Sequence, residues 1–259
     1  MKERSESWLS HVQSLSVQGE FFKLDALQEK SVEWKSIIYN LPHKVARFLM
    51  NSLTHTLNTN ANLVRWGKMT SAKCNKCNNR ETVHHVLNAC PVPLDEGRYT
   101  WRHDNILLYI LETMQKGINA SNQDVDITSD LKLGSWSKQG ISTVPLQCTQ
   151  TNLIPDICAL WKNEKKLVIV ELSVPFETNT EKTHEYKERK YAPLISDIES
   201  KRYSVKYSPI EVGSRGYISP DNTKRLKMLL NEFGKPTPYK IFRDNLSKLA
   251  VTSSFVIYY

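Results

Sequence analysis

The run LVIVELSV at residues 167–174 constrains the fold more than any other stretch of the chain. It is apolar and rich in β-branched residues, which is typical of a strand buried on both faces of a sheet. Glu171 lies inside it, and a lone carboxylate in such a strand is costly unless a partner or a metal ion meets it. The run therefore predicts a central strand with a polar site at Glu171.

A second apolar segment, residues 157–161, precedes this strand and directly follows Pro155 and Asp156. The turn-like residues 162–166 join the two segments, so we expect a hairpin. Two strands that carry one acid each can place Asp156 and Glu171 at one end of a sheet. Because carboxylate oxygens suit Mg2+ or Mn2+, the hairpin predicts a divalent metal site at these two residues.

Upstream, potential metal ligands crowd together at Cys74, Cys77, His84, His85 and Cys90. The spacing is C-x2-C-x7-H-x4-C if His85 is the ligand and C-x2-C-x6-H-x5-C if it is His84; we take His85 and leave His84 open. Three thiolates and one imidazole make a closed structural zinc site. Such a site supplies on the order of 10 kcal/mol of apparent binding free energy, which a module with little core needs. The knuckle could bind nucleic acid, or it could attach the helices to the next domain.

The length of 259 residues allows one domain of moderate size with a smaller module. Hydrophobic residues make up 40% and charged residues 24%, as in ordinary soluble globular proteins. The net charge of +8 favours phosphate-rich partners, although a merely basic surface is the simpler explanation. We expect no membrane span, secretory signal or transit peptide. The odd count of five cysteines, three of them clustered, indicates a reducing intracellular compartment.

Helical periodicity dominates the region before the cysteines. Apolar residues recur at helical spacing over residues 32–49, with a break at Pro42, and the pattern continues to Trp66. This predicts a small helical subdomain. The alternative is a linker that faces nucleic acid through its basic residues, which are Lys44, Arg47, Arg65, Lys68 and Lys73.

Beyond the knuckle, residues 105–111 predict a helix whose charged head, RYTWRHD at 98–104, suits either a phosphate or a simple helix cap. Residues 116–140 are rich in Asn, Ser, Gln and Asp and predict an exposed loop or a loosely paired insertion. The remaining elements are a charged helix at 179–191, a strand at 204–212, a basic helix at 224–233 and an edge strand at 253–259. This order predicts an α/β nuclease core.

At these residues the chain resembles the C-terminal part of non-LTR retrotransposon proteins that carry a restriction-like endonuclease. The matching stretches follow that family's order between residues 74 and 216. They are the Cys74, Cys77, His85, Cys90 knuckle, RYTWRHD at 98–104, Pro155-Asp156, VELSVPFE at 170–177, Lys187-x-x-Lys190-Tyr191, and EVGSRG at 211–216. Any one stretch is weak alone, whereas six in order are hard to obtain by chance.

The resemblance implies a helical linker region at residues 1–73, a CCHC zinc knuckle at 74–95 and a PD-(D/E)xK restriction-like endonuclease domain at 96–259. It implies a nuclear enzyme that nicks double-stranded DNA, so that the exposed 3′ hydroxyl primes reverse transcription of the element's RNA. DNA and element RNA are the implied partners, without a membrane or a small-molecule cofactor. No polymerase-type Asp-Asp pair is found, so we expect a fragment, a truncated copy or a domesticated piece.

The resemblance also implies roles for single residues. Asp156 and Glu171 would bind magnesium or manganese. Ser173 stands where the PD-(D/E)xK pattern has its lysine, so the catalytic amine would be Lys187, with Lys190 as the alternative. Arg102 and His103 would face the cleaved strand, Tyr191 would position the helix, and Arg215 would bind DNA or support the site.

Two further hypotheses stay open. The chain could be a nucleic-acid-binding remnant without catalysis, or a structural protein that reuses the fold. The region has two other acids, Glu164 and Glu177. We expect Glu164 to lie in a solvated turn and Glu177 to support the site without contacting the metal. The spatial arrangement of Asp156, Glu171 and the two lysines separates these hypotheses.

Overall fold

A computed structural model describes residues 2–24, 34–122, 124–131 and 142–259. Over these ranges the chain is a mixed α/β protein with a four-stranded sheet, in which the strands lie side by side in chain order. The strands are β1 (Asp126–Ser129), β2 (Ile157–Trp161), β3 (Lys166–Ser173) and β4 (Ser204–Glu211). β1 pairs with β2 and β2 pairs with β3 in antiparallel orientation, whereas β3 and β4 are parallel.

The predicted hairpin of β2 and β3 is confirmed. Ile157 pairs with Val170 and Trp161 with Lys166, and Lys165 takes a left-handed conformation in the turn, with φ of 47°. Residues 167–172 of β3 are buried, as their continuous apolar character predicts. The predicted third strand is β4, which lies beside β3.

Helices account for most of the remaining described chain. Those before the sheet are α1 (Lys2–Ser14), α2 (Trp34–Tyr39), α3 (His43–Leu53), α4 (Asn60–Arg65), α5 (Pro91–Asp95) and α6 (Arg98–Ser121). Those after β3 are α7 (Thr180–Ser200), α8 (Pro220–Glu232) and α9 (Tyr239–Tyr258). A short π-helix, His85–Ala89, lies within the cysteine-rich segment. Among the described residues no helix is both long enough and apolar enough to cross a bilayer.

The sheet is covered on both faces, which makes three layers. One face packs against α6, α8 and α9 through alternate residues of β2 and β3, among them Ala159, Val168 and Val170. The opposite face packs against α7 and carries Leu167 and Ile169. Because side chains alternate along a strand, Glu171 lies on the α7 face. The helix that carries the predicted catalytic lysines therefore covers the strand that carries the acid.

The N-terminal helices share their core with the C-terminal helix. Ile37, Val45 and Leu49 of α2 and α3 pack with Val251 of α9. A second cluster joins Phe48 of α3 to the cysteine-rich segment and to the residues that follow β3. The predicted linker, knuckle and nuclease regions are thus in direct contact.

One local prediction was wrong, and another was only partly right. The tail at 253–259 is the last part of α9 and not an edge strand, because its apolar residues pack at helical spacing against the N-terminal helices, which overrides their β-propensity. Part of the segment 116–140 is also ordered, since α6 continues to Ser121 and β1 pairs with β2. Residues 123 and 132–140 of that segment, and the predicted helix start at residues 32–33, lie outside the described residues.

Candidate functional site

The zinc ligands come together in a compact cluster. Ligand atoms of Cys74, Cys77, His85 and Cys90 all lie within 4.8 Å of one another. A short turn presents the first two: the Cys74 amide donates to Asn79 O at 2.7 Å, and Lys73 forms a β-bridge with Arg80. Three thiol sulfurs and one imidazole nitrogen are the donor set of a structural zinc site.

The choice between the two histidines is decided by the π-helix. The His85 Nε2 atom lies 3.2 Å from the Cys77 sulfur, and the His85 amide donates to Thr82 Oγ1 at 3.1 Å. His84 points elsewhere, because its ring packs edge-on against Phe176 with centroids 4.9 Å apart. The spacing C-x2-C-x7-H-x4-C is therefore the one that the fold uses.

A family model described as zinc-binding in reverse transcriptase matches residues 16–95. The match spans α2 to α5 and includes all four clustered ligands, so the family and the geometry independently support zinc binding. It ends before α6 and covers neither Asp156 nor Glu171. The comparison with curated proteins gave no significant match.

The zinc region is joined to the rest of the molecule by buried contacts. Leu87 of the π-helix is fully buried against Phe48 and Phe176. The Asn88 side chain donates to Val174 O at 2.9 Å, just beyond the end of β3. These contacts agree with the alternative in which the knuckle attaches the helices to the next domain, since they join the zinc region to the C-terminal end of β3.

The two predicted catalytic acids lie at the same end of the hairpin. The Leu172 amide donates to Asp156 Oδ2 at 2.6 Å, and the Asp156 amide donates to Glu171 Oε2 at 3.3 Å. Both bonds follow from the register, because Asp156 and Glu171 lie one residue beyond the Ile157–Val170 pair. The two carboxylates together could hold a hard divalent cation.

Burial sets the electrostatics of this pair. Glu171 is only 3% exposed, and burial followed by the charge of Asp156 raises its pKa above the usual range for a glutamate. A charged Glu171 consequently depends on compensating positive charge. Lys187 of α7 supplies some of it through an ion pair with Glu171 Oε1.

The two candidate lysines have different surroundings. Lys187 contacts Glu171 directly, and Tyr207 of β4 donates to the Lys187 carbonyl at 3.2 Å. Lys190 instead lies over the Tyr191 ring at 4.8 Å and donates to the Tyr191 hydroxyl at 3.3 Å. Tyr191 is fully buried against Tyr207, with its pKa raised by burial and then by Glu171. Lys187 is therefore the amine nearer the acids.

His103 of α6 completes the cluster. Its Nε2 lies 3.3 Å from Asp156 Oδ2 and its Nδ1 lies 3.0 Å from Asp104 Oδ1. Burial disfavours the charged imidazolium, but the two aspartates outweigh burial and raise the pKa of His103 to about 10. His103 thus carries a positive charge beside Asp156 at neutral pH. Asp104, which orients it, was not singled out from the sequence; its position next to His103 was the available signal.

The two candidate arginines are buried and act as supports. Arg102 is 2% exposed and donates to Leu87 O at 2.9 Å and to Ser254 Oγ at 3.0 Å, so it ties the zinc region to α9. Arg215 is fully buried, with its Nε donating to Glu177 Oε2 at 2.7 Å. Arg215 therefore takes the supporting role of the two predicted for it. Arg102, predicted to face the cleaved strand, lies at the wall of the cleft described next, but its guanidinium is bonded to the protein.

A cleft of about 400 Å3 connects these features. It runs from the zinc region, through the start of α6, to Asp156. Its lining residues are Asn88, Tyr99, Thr100, Arg102, His103, Asp104, Asp130, Asp156 and Val174. The cleft brings the edge of the zinc region and one of the two carboxylates to a common surface.

Proposed function

We propose that the chain is a divalent-metal-dependent DNA endonuclease of the non-LTR retrotransposon type, and that its nick primes reverse transcription. The observation that carries the proposal is the convergence of Asp156 and Glu171 at one end of the hairpin, where the Asp156 amide donates to the Glu171 carboxylate. A lysine from α7 and a charged histidine from α6 approach the same two acids. The match to a zinc-binding region of reverse transcriptases supports the element-derived part of the proposal.

The donor set fits magnesium or manganese, because Asp156 and Glu171 offer carboxylate oxygens and no soft ligand. When bound, such an ion supplies Lewis acidity at a scissile phosphate and offsets its charge. Lys187 holds a positive charge beside Glu171 and can stabilise charge that grows on the phosphate. His103, which lines the cleft, can attract a neighbouring phosphate by its positive charge, while its two ring nitrogens stay bonded to Asp104 and Asp156.

Plasmid nicking tests this proposal. The purified chain, loaded with zinc, is expected to convert supercoiled plasmid to the relaxed form in the presence of Mg2+ or Mn2+. Asp156→Asn and Glu171→Gln should each lower the nicking rate about a hundredfold or more, since each removes an anionic ligand. Glu164→Gln is the matched control, because Glu164 is an exposed acid in the turn of the same hairpin. Equal nicking by Asp156→Asn would overturn the mechanism.

A second candidate is a nucleic-acid-binding module without catalysis. It is favoured by the fact that both acids already have partners in the protein: His103 and the Leu172 amide meet Asp156, and Lys187 meets Glu171. In that case purified wild-type protein binds DNA with a steep salt dependence but leaves the plasmid supercoiled. DNA is the proposed partner in both cases, with the element's RNA as a further partner and the nucleus as the proposed compartment.

A further inference from the structure

A second depression lies on α3 and the end of α9. Its volume is about 760 Å3, and it is lined by His43, Lys44, Arg47, Phe48, Asn51, Thr56, Leu57, Asn58, Phe255, Tyr258 and Tyr259. We call it the α3–α9 groove. None of its lining residues lines the cleft at Asp156, so it is a separate surface.

The charged side chains that line the α3–α9 groove have one sign. Lys44 and Arg47 are exposed on α3, and His43 lies beside them. No acidic side chain lines the groove, and within the described ranges neither cation is in an ion pair. Some exposed lysines elsewhere are neutralised, since Lys162 pairs with Asp126 and Lys201 with Asp197. The unpaired cations leave the groove positively charged and suited to a phosphate chain.

The opposite wall of the groove is aromatic. Phe48 packs against Phe255 and Tyr258, with ring centroids 5.7 and 5.6 Å apart. Tyr259 continues the cluster at 4.8 Å from Phe255 and 4.9 Å from Tyr258, and it is 80% exposed. Two half-buried rings thus hold an exposed ring at the surface, where a flat base could stack on it.

We propose that the α3–α9 groove binds single-stranded nucleic acid. Cations along one wall and stacked aromatic rings along the other are the two elements of sequence-tolerant single-strand recognition. A duplex fits this surface poorly, because its bases are already stacked on one another and cannot reach Tyr259. The side-chain amides of Asn51 and Asn58 add donors and acceptors for base edges. The proposal does not require that Asp156 and Glu171 cleave DNA.

Fluorescence anisotropy with labelled oligonucleotides of about 10 nucleotides tests the proposal, since single-strand sites span roughly 4–16 nucleotides. The zinc-loaded chain carries Asp156→Asn and is measured without magnesium, so that cleavage of the oligonucleotide does not affect the measured binding. We expect single strands to bind more tightly than a duplex of equal length. Lys44→Ala with Arg47→Ala should reduce the salt dependence of log K by about 1.4, at 0.7 per phosphate contact.

The aromatic wall is tested at Tyr259, whose exposure makes its replacement harmless to folding. Tyr259→Leu should weaken single-strand binding by about fivefold to a hundredfold, the usual contribution of one stacked base. Tyr259→Phe keeps the ring and should bind like the wild type. The matched charge control is Lys240→Ala with Lys248→Ala, which removes two exposed lysines of α9 outside the groove.

Several outcomes would overturn the proposal. One is equal binding of single strands and duplex, and another is an equal loss in the groove and control variants. A third is unchanged nucleic-acid binding by the groove variants together with a change in oligomeric state, which would make the groove a protein interface. Parallel measurements with DNA and RNA strands identify which of the two the groove prefers. Loss of plasmid nicking without these results concerns the acids and leaves the groove proposal intact.

Discussion

The zinc cluster and the acidic cluster are both sets of polar side chains, but they are assembled in opposite ways. All four zinc ligands come from residues 74–90, where one turn and one π-helix present them. The acidic cluster draws His103 from α6, Asp156 from the start of β2, Glu171 from β3 and Lys187 from α7. The first cluster is a product of local spacing and the second a product of the three-layer packing.

The two clusters also differ in what neutralises their charge. The zinc ligands meet one another and backbone groups of Asn79 and Val92, and their thiolate charge is offset chiefly by the metal, so the region around them depends on zinc for its order. The acids have protein partners, namely the charged His103 and Lys187. We therefore expect removal of metal ions to unfold the zinc region and to leave the region around the acidic cluster folded.

The largest effect is expected from zinc. Cys77→Ser, or a strong chelator, should release the metal and remove on the order of 10 kcal/mol of apparent stabilisation from the zinc region. Metal analysis should then fall from one zinc per chain to none, and proteolysis should begin between α4 and α6. Cys148→Ala is the control, because Cys148 is a buried thiol outside the cluster. A chelated protein that resists proteolysis as before would contradict the comparison.

The next effect separates the two lysines. Lys187→Ala should lower plasmid nicking by about a hundredfold to a thousandfold, as for other groups that stabilise transition-state charge. Lys190→Ala should have a much smaller effect, because its ammonium lies on the Tyr191 ring and not against an acid. Neither change should release zinc. A larger loss of nicking in Lys190→Ala than in Lys187→Ala would assign the catalytic amine to Lys190.

The smallest effect concerns pH. The pKa of His103 is about 10 in the folded protein, above its ordinary 6.5, so the charged form stabilises the fold. That contribution is complete below about pH 6.5 and is lost as the pH rises toward 10. Without magnesium, the free energy of unfolding should fall between pH 7 and 9.5 by at least about 1.4 kcal/mol more in the wild type than in His103→Gln, the value of one pKa unit. Parallel curves from denaturant titrations would show that His103 is not held charged by the aspartates.

Elements with a strong local signal were predictable. The apolar run of β3, its hairpin with β2 and the three cysteines of the zinc cluster all follow from spacing and periodicity, and the structure has them where the sequence predicts. The strand predicted for the tail at 253–259 was wrong, because these β-prone residues belong to α9, which is long enough to reach the N-terminal core. Local propensity there was weaker than the tertiary contacts.

The sequence by itself determined that one metal cluster would form, because its ligands are neighbours along the chain and need only a turn to meet. It also determined that Asp156 and Glu171 would lie at the same end of a hairpin. Tertiary structure alone decided that His85 and not His84 faces the cysteines, that Lys187 reaches Glu171 ahead of Lys190, and that Arg102 and Arg215 are buried supports. The reason is that these choices depend on which face of a helix meets its neighbour, and that is fixed only when the layers pack.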